Sequence, residues 1–494
     1  MGVDIGTTSA KSVIVDESGK VISEHNSEYD VMTPYPGWAE QWPDVWLDAV
    51  LKVIKNSLKK SGLSPSKIKG IAISGLYGGS GVPVDENFEP LRPCIIWMDR
   101  RAQKETEWVK RNIPKDKIVS ITGNYVDSYY GFTKILWIKN NEPGVWDKVY
   151  KFITPKDFVI YKLTGNLVID HSSAGNLGGL YDLKERRWSN EMSEMLGIPI
   201  EKLPERIVKS TEIAGYLKKD FSSVTGLLEG TPVIAGGIDA PVAQLSAGSV
   251  DPGEQVVMLG TSMCWGTLHE GEYISSSLVN FPYVVDDDSL IYTFGGGATS
   301  GAIVKWFKDN FGGSYDVLNR QASEIPAGSE GLVVLPYFMG ERSPIWDPKA
   351  KGMIFGLSLK HTRAHVYRAF LEGVAYSLRH NIEEAEKMGM NIPKKSFIVG
   401  GGAKSDLWVK ILADVTGLDM VKVRGNVEAP LGDAFLSGLG IGVFKDKHEI
   451  KRWVDYEDPV VSEKQQIYEK LYEIYKDLYK HTKEDMWRLP LKYR

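Results

Sequence analysis

A chain of 494 residues is longer than one hydrophobic core usually organises, so two domains are expected. Hydrophobic residues make up 43% and charged residues 25%, which excludes the disordered, collagen-like and coiled-coil classes. Lys and Arg number 59 and Asp and Glu 64, a net charge of -5, too little positive charge to hold nucleic acid or an anionic membrane; small partners are expected instead.

Cys94 and Cys264 are the only cysteines and form no CxxC, which excludes a disulfide framework or cysteine zinc site and fits a reducing cytoplasm. The opening MGVDIGTTSAKSV lacks a basic-then-apolar leader, and no run reaches about 18 apolar residues, so neither export nor a membrane span is expected.

In chain order, residues 3–5 and 12–16 read as strands of a hairpin around the turn GTTS, and a third strand starts at Val21 after ESGK. Trp42-Pro43-Asp44 opens a helix with Pro43 in its first turn, Trp46, Val50, Val53, Ile54 and Leu58 on one face, and Gly62 as its stop. Residues 68–74 (IKGIAIS) form a buried strand, so a hairpin combined with a βα crossover gives the α/β class. Residues 231–237 (TPVIAGG) form another strand, from which IDAPVAQLSAG starts a helix; such a carboxyl end is where α/β sheets place their chemistry. From Gln255 the opening grammar returns: strand, turn Gly260-Thr261-Ser262, strand. Met258 stands where Asp4 stands in the first copy, so only the first hairpin carries the carboxylate. A Gly, Ser and Pro-rich break divides the chain into 1–247 and 248–494. From about residue 446 a helical tail presents Ile467, Leu471, Ile474 and Leu478 on one side.

No GxxxxGK[ST] occurs, which excludes a P-loop. Four other glycine turns follow apolar strands: DIGTTSAK (4–11), LGTS (259–262), FGGGATSGA (294–302) and VGGGAKSD (399–406). One such cluster is usually a tight turn; four, each with Thr, Ser or Lys, match what a phosphate needs, namely approachable backbone N–H groups, hydroxyl donors and a cation. Asp4 in the first turn suits Mg²⁺ held through water, with a turn cap as the second reading. Asp239 in GGIDAP can accept the proton of an attacking hydroxyl, or cap its helix.

These motifs, with GMIFGLSLKHTRAHVYRAFLEG (352–373) and GGGAKSDLWVKILADVTG, in this order over about residues 1–445, closely resemble the FGGY carbohydrate kinases. The best match is Gly356-Leu357, seven residues, then His365-Val366 and the run 369–373. The resemblance implies two actin-like (ribonuclease H-like) domains with an ATP cleft between them, the N-terminal binding sugar and the C-terminal binding nucleotide. It makes Asp239 the catalytic base and sets Asp4, Gly6, Thr7, Thr8, Ser9 and Lys11 toward Mg²⁺ and the terminal phosphates. Gly260 and Thr261 then meet the phosphates from the other side, while Gly301, Lys305, Gly401, Gly402, Ala403 and Asp406 line the nucleotide.

Xylulokinase-like members read approximately Gly-Gln-Met-His-Gly after the strand at 71–74; here the loop is SGLYGGSGVP, which leaves Tyr77 and Gly78 at the sugar. Gly131 likewise stands where the N-terminal signature has a small hydroxyl residue or Pro. Trp97 and Asp99 in WMDRRA, with Trp38 in PGWAEQWP, are further sugar-pocket candidates, an aromatic face for the ring and polar groups for its hydroxyls.

The implied activity is transfer of the γ-phosphoryl group of ATP to a sugar hydroxyl, D-xylulose-like pentuloses first, with gluconate, ribulose or a polyol such as glycerol or erythritol behind. The competing class is an actin- or Hsp70-like ATP switch, disfavoured because Asp239 lies between Gly237 and Pro241, the signature at 352–373 is complete and no separate peptide-binding region follows. A homodimer is among the assemblies the sequence allows.

Overall fold

The computed structural model describes residues 1–271, 274–425 and 428–489. The chain forms two compact units: Met1–Val250 with Val279–Tyr292 and Asn426–Val454, and Asp251–Leu278 with Thr293–Gly425 and Asp455–Arg494. The first segment of the first unit ends at Val250, and two later segments return to that unit. The helix Ala429–Gly440 explains one return: it is apolar nearly throughout and packs on the strands Gly2–Ile5 and Ile71–Gly75. Its partner is set by complementary shape, which no composition break announces.

The first unit's main sheet has the order Ile213–Tyr216, Pro232–Ile234, Ile71–Gly75, Gly2–Ile5, Ser9–Val15, Val21–Glu28. The strand pairs from Pro232–Ile234 through Ile71–Gly75 to Gly2–Ile5 are parallel, and the hairpin strands beyond are antiparallel. The helix Pro43–Ser61 buries the five predicted residues and ends at Gly62 with φ 67°, a left-handed turn that glycine adopts without penalty. Period-two alternation gives Gly2–Ile5 two faces. Val3 and Ile5 join the buried cluster of Trp46 and Val50. Gly2 and Asp4 turn to the other face, where a Cβ on Gly2 would lie 1.8 Å from the Pro430 carbonyl oxygen. Glycine is therefore what lets the helix Ala429–Gly440 come down beside Asp4.

The second unit repeats this plan. Gln255–Leu259 pairs antiparallel with Met263–His269 and parallel with Lys395–Val399, as Gly2–Ile5 does with Ser9–Val15 and Ile71–Gly75. Asp419–Arg424 extends the sheet, and the helices Arg363–Lys387, Asp406–Thr416 and Gln466–Arg488 contribute to its core.

The tail departs from expectation. Its long helix starts at Gln466, preceded by a 3-10 turn at Lys447–Trp453, and its buried face is Tyr468, Leu471, Tyr472 and Tyr475, with Ile467 and Ile474 exposed. The tyrosines win because each hydroxyl finds a partner: Tyr468 with Arg368 and Glu372, Tyr472 with Glu383, Tyr475 with Tyr337. No helix among the described residues is long and apolar enough to cross a membrane.

Candidate active site

In the first unit, the carboxyl ends of the three parallel strands gather the carboxylates. Asp4 lies opposite Ser74 in the parallel register, and Ser74 Oγ sits 2.9 Å from Asp4 Oδ1 and 2.6 Å from Asp433 Oδ2. A serine has one proton to give, so a hydroxyl between two carboxyl oxygens requires one of them to carry a proton. Asp433 is that group: it is completely enclosed, its Oδ1 has no hydrogen-bond partner, and burial pushes its carboxyl well above the usual range. Sequence reading passed over Asp433; the signal was a lone carboxylate in the apolar helical run APLGDAFLSGLG.

Asp239 opens the helix Asp239–Ser246, with Ile238 rather than Asp239 in the capping position. Its Oδ1 accepts the Ala240 N–H at 2.7 Å. Burial, then the charge of Asp4, raise its carboxyl to about 7, while burial raises Asp4 to about 6 against the pull of Ser74 and Lys11. Two half-buried carboxylates, Asp239 raised by the charge of Asp4 as well as by burial, form a site that a hard cation would relieve. Their oxygen-only chemistry fits Mg²⁺, which keeps most of its waters; among the described residues no trio of His, Cys, Asp or Glu converges into a direct cage.

The turn after Asp4 is fixed on all sides. Gly6 N–H closes it on the Ser9 carbonyl at 2.9 Å, Tyr29 OH donates to the Gly6 carbonyl at 2.6 Å, and Gln41 Nε2 to the Thr7 carbonyl at 2.9 Å. Trp97 Nε1 donates to Thr7 Oγ1 at 3.0 Å, which ties the WMDRRA segment to this turn. Thr8 is exposed, and Lys11 pairs with Glu428 at 2.7 Å.

The residues proposed for sugar separate. Gly78 has φ 90°, and a Cβ there would stand 3.0 Å from Trp97 Cβ and 3.1 Å from the Tyr129 ring, so glycine lets this loop pass beneath both aromatics. Tyr77 is buried next to it, and burial holds its phenol well above its ordinary value. Fully buried Lys134 clamps the loop: its Nζ donates to the carbonyls of Gly78, Ser128 and Tyr129 at 2.9, 2.6 and 2.7 Å.

Asp99 departs from its predicted role. It is completely buried, and its oxygens are taken by Arg101 Nε and Nη2 and by the Arg101 and Ala39 N–H groups. Its acceptor capacity is already filled, so it braces Arg101 and the backbone at Ala39. Trp38 covers the Arg101 guanidinium at 3.6 Å, a cation–π contact that accounts for its position.

In the second unit the glycine turns assemble at matching strand ends. Gly301 N–H donates to the Gly260 carbonyl at 2.8 Å and the N–H groups of Ser300 and Ala302 to the Thr261 carbonyl at 3.0 Å, welding the hairpin turn to the start of the helix Gly301–Phe311. A Cβ on Gly301 would come within 2.6 Å of that Gly260 oxygen. Gly400, φ 95°, packs against Leu259, as does Gly402, whereas Gly401 is exposed and a Cβ added to it would meet nothing within 4 Å. Ala403 continues the turn, half-buried. Together these offer approachable backbone and the Thr261 hydroxyl, the groups a polyphosphate takes. Lys305 and Asp406 lie at the surface, paired with Asp309 and Lys422 respectively.

Comparison with known proteins gives a consistent result. Residues 1–246 match the model of the FGGY family of carbohydrate kinases, N-terminal domain, and residues 255–440 that of its C-terminal domain. The chain is 31% identical to a xylulose kinase of Lactococcus lactis subsp. lactis (strain IL1403), over 98% of this chain and 97% of that one. It is 30% identical to a gluconokinase of Bacillus subtilis (strain 168), over 90% and 87%. Among solved structures, the ligand-bound xylulose kinase from Lactobacillus acidophilus aligns with a TM-score of 0.92 at 26% identity, over 99% of both chains.

Proposed function

Because the chain belongs to the FGGY family of carbohydrate kinases, with two actin-like domains and ATP as the phosphoryl donor, we propose that its acceptor is a pentulose, D-xylulose first, and that Asp239 is the catalytic base. The observation that carries this reading is Asp239 itself, at the carboxyl end of the sheet beside Asp4, with a proton affinity near neutrality. A base of that strength is partly ionised at physiological pH and takes a hydroxyl proton as the oxygen attacks phosphorus.

Asp4 and Thr8 would hold Mg²⁺ with its waters, and the ion when bound supplies positive charge against the phosphates. Gly6, Thr7, Ser9 and Lys11 shape the turn around Asp4. Gly260, Thr261, Gly301, Gly401, Gly402 and Ala403 would cradle the nucleotide, with Lys305 and Asp406 at its margin. Tyr77, Gly78 and Trp97 would line the sugar, Trp97 offering a half-buried ring. The two unpaired cysteines fit a reducing, cytoplasmic setting. D-gluconate is the second reading, favoured by the gluconokinase relative and by Gly78 where xylulokinase-like loops carry His.

The test is Asp239→Asn, for which sugar-dependent kcat falls by about 10²-fold or more while the KM for ATP stays within about two-fold. A kcat equal to wild type removes Asp239 from the role of base.

A further inference from the structure

Asp239 is delivered by the turn 235–238, whose backbone is held along its length. Ala235 N–H and Gly236 N–H donate to the carbonyls of Glu212 and Ser210 at 2.9 Å each, Gly75 N–H donates to the Gly237 carbonyl at 3.1 Å, and Lys156 Nζ to the Ala235 carbonyl at 3.1 Å. The last group before Asp239, the Ile238 N–H, donates to Ser172 Oγ at 3.1 Å. The serine oxygen accepts on a lone pair, and donation of its own proton to Asp170 Oδ2 fixes the direction in which that lone pair faces.

Asp170 is the hub of this arrangement. Its Oδ2 also receives Ser172 N–H at 2.8 Å, Ser173 N–H at 3.2 Å and Ser210 Oγ at 3.3 Å, and its Oδ1 lies 2.9 Å from Lys156 Nζ. Ser172, Ser210 and Lys156 each touch the turn and each touch Asp170. Burial opposes the charge on Asp170, but Lys156 and these donors outweigh it and hold the carboxyl below its usual range. Gly237 permits the approach, since a Cβ there would stand 3.0 Å from Ser172 Oγ and 2.5 Å from Val284 Cγ1.

We propose that Ser172, its hydroxyl oriented by Asp170, is a positioning residue for phosphoryl transfer: it fixes the Ile238 N–H and thereby the first turn of the helix that aims the Asp239 carboxylate. This rests on Asp239 being the base. Ser172 touches neither substrate nor cofactor in this role; it acts through the backbone, so its effect belongs in kcat and vanishes once the base is gone.

A double-mutant cycle tests it. Ser172→Ala lowers sugar-dependent kcat roughly 10-fold with KM for sugar and MgATP within about two-fold, and in the Asp239→Asn background the same change costs less than about two-fold. Ser172→Cys, similar in size but a weak acceptor, is measured in parallel with thermal melting, so that a variant lost to unfolding does not decide the outcome. Wild-type kcat in the folded Ser172 variants, or an equal loss in both backgrounds, overturns the positioning role. Wild-type kcat in Asp239→Asn defeats the base assignment itself, whereas an inactive Asp239→Asn beside fully active Ser172 variants defeats only this inference.

Discussion

Replacing Asp239 with Asn trades activity for stability, and the size and pH dependence of the gain follow from the site. A carboxyl moved from 3.8 to about 7 binds its proton more tightly folded than unfolded, so its contribution is fully present below pH 3.8 and lost as pH rises through about 7. At pH 8 the ionised, half-buried group carries a penalty of about 4 kcal/mol; at pH 5, where the folded protein keeps the proton, about 2 kcal/mol. The carboxamide removes the penalty and keeps an oxygen for the 2.7 Å bond from Ala240 N–H, whose pull on the carboxylate is already contained in the value of about 7. Burial, then repulsion from Asp4, therefore set the sign of the change. In the absence of metal and nucleotide, the Asp239→Asn melting midpoint should rise by roughly 6–10 °C at pH 8 and by about 2–3 °C at pH 5. Thermal unfolding of both proteins at the two pH values, with EDTA, measures this. A lowered midpoint, or an equal rise at both pH values, refutes the electrostatic reasoning.

Two further substitutions separate the sites. Gly301→Ala drives a Cβ to 2.6 Å from the Gly260 carbonyl oxygen and breaks the bond that welds helix to hairpin; the KM for ATP should rise about 10-fold or more while the fold persists, as checked by initial rates and circular dichroism. Lys134→Met strands three carbonyl oxygens in a fully buried site and frees the loop under Trp97, so stability should fall by about 3 kcal/mol or more and the sugar KM should rise, read by urea unfolding and steady-state kinetics.

Local chemistry made much of the architecture legible. Pro43 and Gly62 mark the ends of the first helix because one fixes φ and the other tolerates a left-handed turn, and both signals are written in single residues. The echo between DIGTTS and LGTS corresponds to the same three-strand pattern in each unit, Asp4 against Met258 included. What stayed hidden depends on partners distant in the chain. Asp433 meets Ser74 across 359 positions, and the oxygens of Asp99, which its local sequence offers as ligand groups, are occupied by Arg101 and the Ala39 N–H. The tail helix misled only in part: Leu471 is buried and Leu478 packs against the core as the aliphatic stripe predicted, whereas Ile467 and Ile474 are exposed and tyrosines with hydroxyl partners complete the buried face.

The measurement that tests the central claim most directly is ADP release with MgATP across D-xylulose, L-ribulose, D-gluconate, glycerol and erythritol, against a no-sugar control. The account predicts turnover well above the control with a pentulose, D-xylulose giving the highest kcat/KM. ADP release that no sugar or polyol accelerates, from protein that still binds ATP, would contradict it.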